Sequence, residues 1–250
     1  MKVRGILAVL LFLTGLQSAL AQKLKLYLSD KQVVEYSVEK VDSLVFTDDT
    51  AETHEYVDLG LPSGTLWATC NVGANSPEEY GDYFAWGEVE PKSDYRWSTY
   101  KYCKGSFDTM TKYCTNSDYG TVDNKTELEP SDDAATVNWG SGWQMPSEEQ
   151  NEELIDKSYT TTTWTTLNGV YGMKITSKSN GNSIFLPAAG YRNGTSLSNA
   201  GSGGIYWSRS LNTSYSSYGA YRLYFNSSYI GTSYDNRCYG LGVRPVRVKN

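Results

Sequence analysis

Residues 138–154 read NWGSGWQMPSEEQNEEL, and they contain the clearest helix start in the chain. Ser147 is a capping residue, and Gln150 stands three positions on as its reciprocal partner. Glu148 and Glu149 put negative charge on the positive end of the helix dipole. Leu154 and Ile155 supply an apolar face. The pattern predicts a helix from Pro146-Ser147 to about Lys157.

After this helix every apolar run is short and ends in an Asn, Gly or Ser turn. The runs Thr162 to Leu167, Val170 to Thr176, Ser183 to Leu186, Ile205 to Ser208, Ala220 to Phe225 and Val243 to Val248 read as strands. Before the helix, residues 93–129 form a polar, Tyr-rich irregular insertion with two cysteines. Asp82 to Trp86 reads as a strand. Ser76-Pro77-Glu78-Glu79 reads as the start of a short helix: a capping Ser, Pro at the first position, then acids. Gly60, Pro62 and Gly64 mark a turn ahead of Thr65-Leu66-Trp67-Ala68. Earlier still, Leu24, Leu26 and Leu28 alternate with polar positions, as do Val34, Tyr36 and Val38. With Leu44-Val45-Phe46 they predict a small β-meander. Residues 47–55 (TDDTAETHE) are polar.

Residues 1–21 read as a secretion signal. Lys2 and Arg4 are basic, Ile6 to Leu16 is apolar, and Ala19-Leu20-Ala21 is a small-x-small cleavage site, so the mature chain is expected to begin at Gln22. The apolar core is too short to span a bilayer, and no second hydrophobic stretch follows. Without Lys2 and Arg4 the 22 basic residues become 20, against 28 acidic ones, a net charge of −8. The acids are dispersed and no Lys/Arg cluster exists, which argues against nucleic acid and anionic membranes as partners. The expected organisation is a signal peptide (1–21), a β-meander (22–50), a linker (51–55) and a main domain (56–250). The expected class is α+β, rich in β, with long irregular loops. The expected location is periplasm, cell surface or medium.

Several segments stand in one order: YVDLGLPSGTLWATCNVGA (56–74), GDYFAWGE (81–88), the 138–154 stretch, IFLPAAGYR (184–192), YWSRS (206–210) and GVRPVRV (242–248). This series resembles the major paralogous domain family of secreted Bacteroidetes and Fibrobacter proteins, related to the DUF1566 group. The resemblance covers residues 56 to 248 and implies a C-type lectin-like fold with a bias toward binding; it brings no substrate. Residues 205–239 hold 8 Tyr, 8 Ser and 3 Asn. That composition is similar to the variable segments of C-type lectin-fold proteins diversified by retroelements. Diversification, or a Tyr-rich member of the same fold without it, both remain open.

Catalytic chemistry finds little support. The only histidine, His54, lies in the polar stretch near no motif, so an imidazole-based hydrolase has no base. The four cysteines lack Cys-x-x-Cys spacing, which excludes the usual zinc pattern. The paired cysteines of the formylglycine-generating enzymes, which share the implied fold, are missing, because Cys238 is the only cysteine after Cys114. Acid pairs at Glu78-Glu79, Asp132-Asp133 and Glu148-Glu149 each follow a serine and read as helix-start acids. Glu88 and Glu90, with Asp94, are the remaining candidates for Ca²⁺, though without a ligand rhythm; otherwise no cofactor or metal is expected. Cys103 and Cys114 are expected to form a disulfide closing a loop of about ten residues, contributing roughly 2–3 kcal/mol. A Cys70–Cys238 bridge stays open.

The expected function is therefore binding of an unknown protein or glycan by a receptor- or adhesin-like module, not catalysis. Tyrosine gives large contact area with few rotors to freeze, and Ser and Asn give adaptable hydrogen bonds. The candidate ligand-binding residues are Asn212, Ser214, Tyr215, Tyr218, Arg222, Tyr224, Tyr229, Tyr234, Asp235, Asn236 and Tyr239. On a strand from Ala220 to Phe225, Tyr221, Leu223 and Phe225 would face the core, and Arg222 and Tyr224 the surface. Two alternatives stand beside this: a carbohydrate-active enzyme using paired carboxylates, and a structural surface protein without a dedicated ligand.

Overall fold

The computed structural model describes residues 23–27, 33–37, 54–214 and 217–248. The expected signal peptide, the Leu44-Val45-Phe46 run, residues 51–53 of the expected linker, and Tyr215 lie outside the described residues. The chain divides into two compact units, 1–50 and 51–250. In the first, β1 (Lys23–Tyr27) pairs antiparallel with β2 (Val33–Ser37), from Lys23↔Ser37 to Tyr27↔Val33.

The second unit is β-rich. Its elements in order are β3 (Tyr56–Asp58), β4 (Thr65–Ala68), α1 (Ala134–Trp139), α2 (Glu148–Ile155), β5 (Thr160–Leu167), β6 (Val170–Ser177) and β7 (Ser183–Pro187). There follow β8 (Tyr191–Asn193), β9 (Ser196–Ser198), β10 (Gly203–Leu211), β11 (Gly219–Asn226), β12 (Ile230–Asn236) and β13 (Val246–Val248). Among the described residues these make small antiparallel sheets and no barrel: β13-β4-β3, β5-β6-β7, β8-β9 and β10-β11-β12. The first of them sets the last strand beside the start of the unit, Val246 opposite Trp67.

Helix α2 begins where the capping box places it. Ser147 Oγ accepts from the Gln150 amide at 3.2 Å, and Gln150 Oε1 accepts from the Ser147 amide at 2.9 Å. Two local signals are honoured only in part. The Ser76 segment makes a single turn, Glu79 N donating to Ser76 O at 3.2 Å, and not a helix. The expected strand at 82–86 is reduced to one bridge, Phe84 with Leu241. His54, expected near no motif, instead stacks on Trp139 of the 138–154 stretch with centroids 3.6 Å apart.

Two apolar clusters fill the unit. One gathers Phe84, Trp86, Tyr113, Trp207, Leu241 and Val243. The other gathers Trp67, Leu154 of α2, Ile175, Leu186, Leu223 and Phe225. Each buried apolar side chain of this size contributes about 1.5–3 kcal/mol. In the first cluster two indoles cross-link the chain: Trp86 Nε1 donates to Ser208 O and Trp207 Nε1 to Phe84 O, both at 2.8 Å. Gly204 lies opposite Phe225 in the β10–β11 ladder, and a Cβ there would sit 2.1 Å from that ring, so the aromatic occupies the space a side chain would need.

Two arginines are wholly buried and serve as rivets. The Arg237 guanidinium donates to the carbonyls of Lys112 (3.0 Å), Tyr113 (3.0 Å) and Ser217 (2.8 Å) and to Tyr100 OH (2.9 Å). It lies 4.8 Å from the Trp86 ring. Arg244 donates to the carbonyls of Ala68, Thr69 and Phe185 and to Asn71 Oδ1. Burial pulls its pKa down to about 10, which leaves it charged at neutral pH. Among the described residues neither cation meets a carboxylate; carbonyl dipoles replace its hydration.

The expected Cys103–Cys114 disulfide is not formed: all four cysteines are free. The loop between them is closed by backbone hydrogen bonds instead, Thr111 N to Tyr102 O at 2.9 Å and Met110 N to Tyr119 O at 2.7 Å. Each thiol has its own acceptor, Trp97 O for Cys103 and Asn116 O for Cys114, both at 3.1 Å. Cys238 is buried in the first cluster, and burial pushes its thiol up to about 12.

Candidate functional site

The Tyr-rich segment folds as the meander β10-β11-β12. Its register sets Trp207, Arg222 and Ser233 in one row and Ile205, Tyr224 and Gly231 in the next. The two-residue period then places Arg222, Tyr224 and Asp235 on one face, and Tyr221, Leu223, Phe225 and Tyr234 on the other. Each face is covered near β10: Ile205 and Trp207 belong to the first cluster, Tyr206, Leu223 and Phe225 to the second. Coverage thins outward, and β12, at the edge of this sheet, is half-buried to exposed along its length. The meander is thus a rigid platform with a partly open outer margin.

On the first face that margin carries four of the expected residues together. Arg222 Nε donates to Asp235 Oδ2 at 2.6 Å, and the guanidinium lies 5.1 Å from the Tyr224 ring. Its Nη1 is buried with no acceptor among the described residues. Tyr224 OH accepts from Asn226 Nδ2 at 2.7 Å, which leaves its own proton to donate. Asn226 Oδ1 also receives the amides of Ser228 and Tyr229, both at 2.9 Å, in an Asx-type turn. That turn sets the Tyr229 ring, 54% exposed, at 6.0 Å from Tyr224. Two aromatic rings, a guanidinium and a carboxylate are held together within one hairpin.

The other expected residues lie elsewhere, so the eleven do not make one face. Asn212 is fully buried; its Oδ1 accepts the Ser214 amide at 2.9 Å and its Nδ2 has no acceptor among the described residues. Exposed Ser214 reaches Tyr221 OH at 3.3 Å, so Tyr221 is half-buried rather than core, and its cross-strand partner Tyr234 is 38% exposed. Asn236 is half-buried at the end of β12 and accepts the Tyr239 amide. Tyr239 packs on Tyr191 at 5.7 Å. Tyr218 is embraced edge-on by Phe107 and Tyr119, both at 5.4 Å, and by Trp97 at 6.5 Å. Those three partners come from the insertion, about a hundred residues away in sequence, and were not foreseen as neighbours of the segment.

The acid pairs are engaged in local structure. Asp133 caps α1 through the Thr136 amide (2.9 Å) and also accepts the Met145 amide (2.8 Å). Asp132 receives Lys112 Nζ and Tyr113 OH. Glu78 accepts from Asn168 and Glu79 from the Asn75 amide. Of the expected Ca²⁺ candidates, Glu88 pairs with Lys92 at 2.8 Å and Asp94 with Arg96 at 2.9 Å, and Glu90 is exposed. Among the described residues no three His, Cys, Asp or Glu side chains converge as a metal site would. Glu148 is pushed up to about 7 by burial and by the nearby Glu152, Glu149 and Glu127.

Residues 141–246 match a family described as a domain of unknown function (DUF8237). The matched span takes in α2, β5 to β12 and every residue of the Tyr-rich hairpin, and it brings no activity with it. It ties the chain neither to the DUF1566 group nor to retroelement products. No curated protein and no solved structure gives a significant match. Among the described residues no helix is long and apolar enough to cross a membrane.

Proposed function

We propose that the chain is an exported binding protein with a C-type lectin-like fold, which holds a protein or glycan on the outer margin of the β10-β11-β12 sheet. The observation that carries this is the margin itself: exposed Tyr229 fixed against Tyr224, beside the Arg222–Asp235 pair. Aromatic and arginine side chains supply most of the energy in binding sites, and rigid ones lose least entropy. Export is supported by the basic, apolar and small-residue regions of 1–21. The lectin-like fold is supported by the ordered motifs from Tyr56 to Val248. Diversification by a retroelement is supported by the composition of 205–239; it requires a reverse-transcriptase gene and a template repeat matching those codons nearby in the genome.

The test is to probe the purified mature chain against a glycan array and a panel of cell-surface proteins. Hydrogen exchange then locates the footprint of whatever binds. Slowed exchange in 222–235 is expected. A footprint confined to other segments contradicts the assignment, and the absence of any ligand favours a structural surface role.

A further inference from the structure

A second feature lies apart from that margin. The segments Gly81–Tyr83, Pro91–Tyr95 and Arg192–Thr195 line an open cleft of about 440 Å³, within the size range of small-molecule sites. Its floor is two buried tyrosines whose hydroxyls are committed. Tyr83 OH donates to Ala189 O and Tyr95 OH to Tyr83 O, each at 2.5 Å. The floor therefore offers no free hydroxyl.

Arg192 ends the IFLPAAGYR motif, which the proposed binding margin leaves unused. Its backbone is fixed by exchange with Gly240, at 2.7 and 3.0 Å. Its half-buried guanidinium lies 5.1 Å from the Tyr83 ring. Arg96, Arg209 and Arg222 each have a carboxylate partner. Among the described residues Arg192 has none, and its side chain makes no hydrogen bond. Lys92, the other cation of the wall, is occupied by Glu88 and by Thr99 O. Asp82 has no cation within ion-pair reach among the described residues. The cleft thus presents one unpaired guanidinium, one unpaired carboxylate and the hydroxyls of Ser93 and Thr195.

We infer that this cleft binds a small carboxylate that also carries hydrogen-bond donors, with Arg192 as the anchor and Asp82 as the acceptor. A planar carboxylate matches the fork of a guanidinium in two parallel bonds. Phosphate would engage Arg192, but its charge is spread over all its oxygens, so the side turned toward Asp82 is repelled, whereas a ligand whose donors stand apart from its carboxylate is not. A neutral sugar would satisfy Asp82 and leave the guanidinium unmatched. A uronic acid, through its hydroxyls, and an amino acid, through its ammonium, present the same pair of features.

Calorimetric titration of the mature full-length protein with glucuronate, glutamate, glucose and inorganic phosphate tests this. At least one of the two carboxylates should saturate the protein, and both glucose and phosphate should bind at least about tenfold more weakly. Arg192→Gln should weaken the carboxylate by about tenfold or more while melting near the parent. Should that variant unfold, Asp82→Asn, at an exposed position, carries the test: it should weaken the same ligand and leave acetate unaffected. Saturation by neither carboxylate up to about 10 mM, equal binding of glucose, or unchanged binding in either folded variant would overturn the inference.

Discussion

Replacing Arg237 by Met should be among the most damaging single changes in the chain. The substitution keeps most of the side chain's length and its packing against Trp86, and it removes the guanidinium. Tyr100 OH still has an acceptor, because it donates to Trp86 O at 2.7 Å. The carbonyls of Lys112, Tyr113 and Ser217 have no comparable substitute. Leaving a buried carbonyl unpaired costs about 1–3 kcal/mol. Part of the sum is recovered, because no cation has to be desolvated. Swapping a whole buried ion pair for apolar groups is often neutral, but here the acceptors are backbone atoms that no mutation deletes, so a net loss of about 3–5 kcal/mol remains. In a domain of this size that lowers the melting temperature by roughly 6–20 °C. Thermal melting followed by near-ultraviolet circular dichroism reads it, since Trp86 and Tyr100 surround the site. A variant that melts within about 2 °C of the parent would refute the rivet reasoning.

Gly204→Ala should cost roughly 1–3 kcal/mol through overpacking against Phe225, read by denaturant unfolding; an unchanged midpoint would mean the ring moves freely. Alkylation without reductant should label half-buried Cys70 and Cys103 before buried Cys114 and Cys238, and unfolding should make all four reactive; a peptide linking Cys103 to Cys114 would restore the disulfide. Glu148 gives a pH dependence. Below its ordinary value of 4.5 the carboxyl is protonated folded or unfolded; between 4.5 and about 7 the unfolded chain releases the proton that the folded one keeps, so stability falls as pH rises through that window. Glu148→Gln should therefore melt above the parent near about pH 8 and with it near about pH 4; equal melting at both would show that the fold does not raise this carboxyl.

What could be read from the chain was what local chemistry decides. The Ser147–Gln150 box fixed the start of α2, and runs of Val, Ile, Thr and Tyr marked β5, β6, β7, β10 and β11. Strand β12 escaped because IGTSYDN has one strong apolar residue; its place is set by pairing with β11, not by its own burial. Of helix α1 only the start was legible: Asp132-Asp133 read as helix-start acids, and Asp133 caps it, its second oxygen held by Met145 across a loop. The two-residue period correctly grouped Arg222 with Tyr224. It could not reveal that Tyr218 is enclosed by Trp97, Phe107 and Tyr119, nor that Arg237 reaches Lys112 and Tyr113, because such contacts join distant parts of the sequence. The thiols were misjudged for the same reason: their spacing permitted a staple, but the backbone had already closed the loop.

The most direct test of the binding margin compares Tyr229→Ala with Tyr218→Ala against whichever ligand the arrays identify. Tyr229 is over half exposed and should lose about 1 kcal/mol of stability or less on truncation, yet at least about tenfold in affinity. Tyr218 should lose stability through its ring contacts and keep its affinity while folded. The reverse pattern, a folded Tyr229→Ala binding like the parent, would place the ligand elsewhere and contradict the proposed margin.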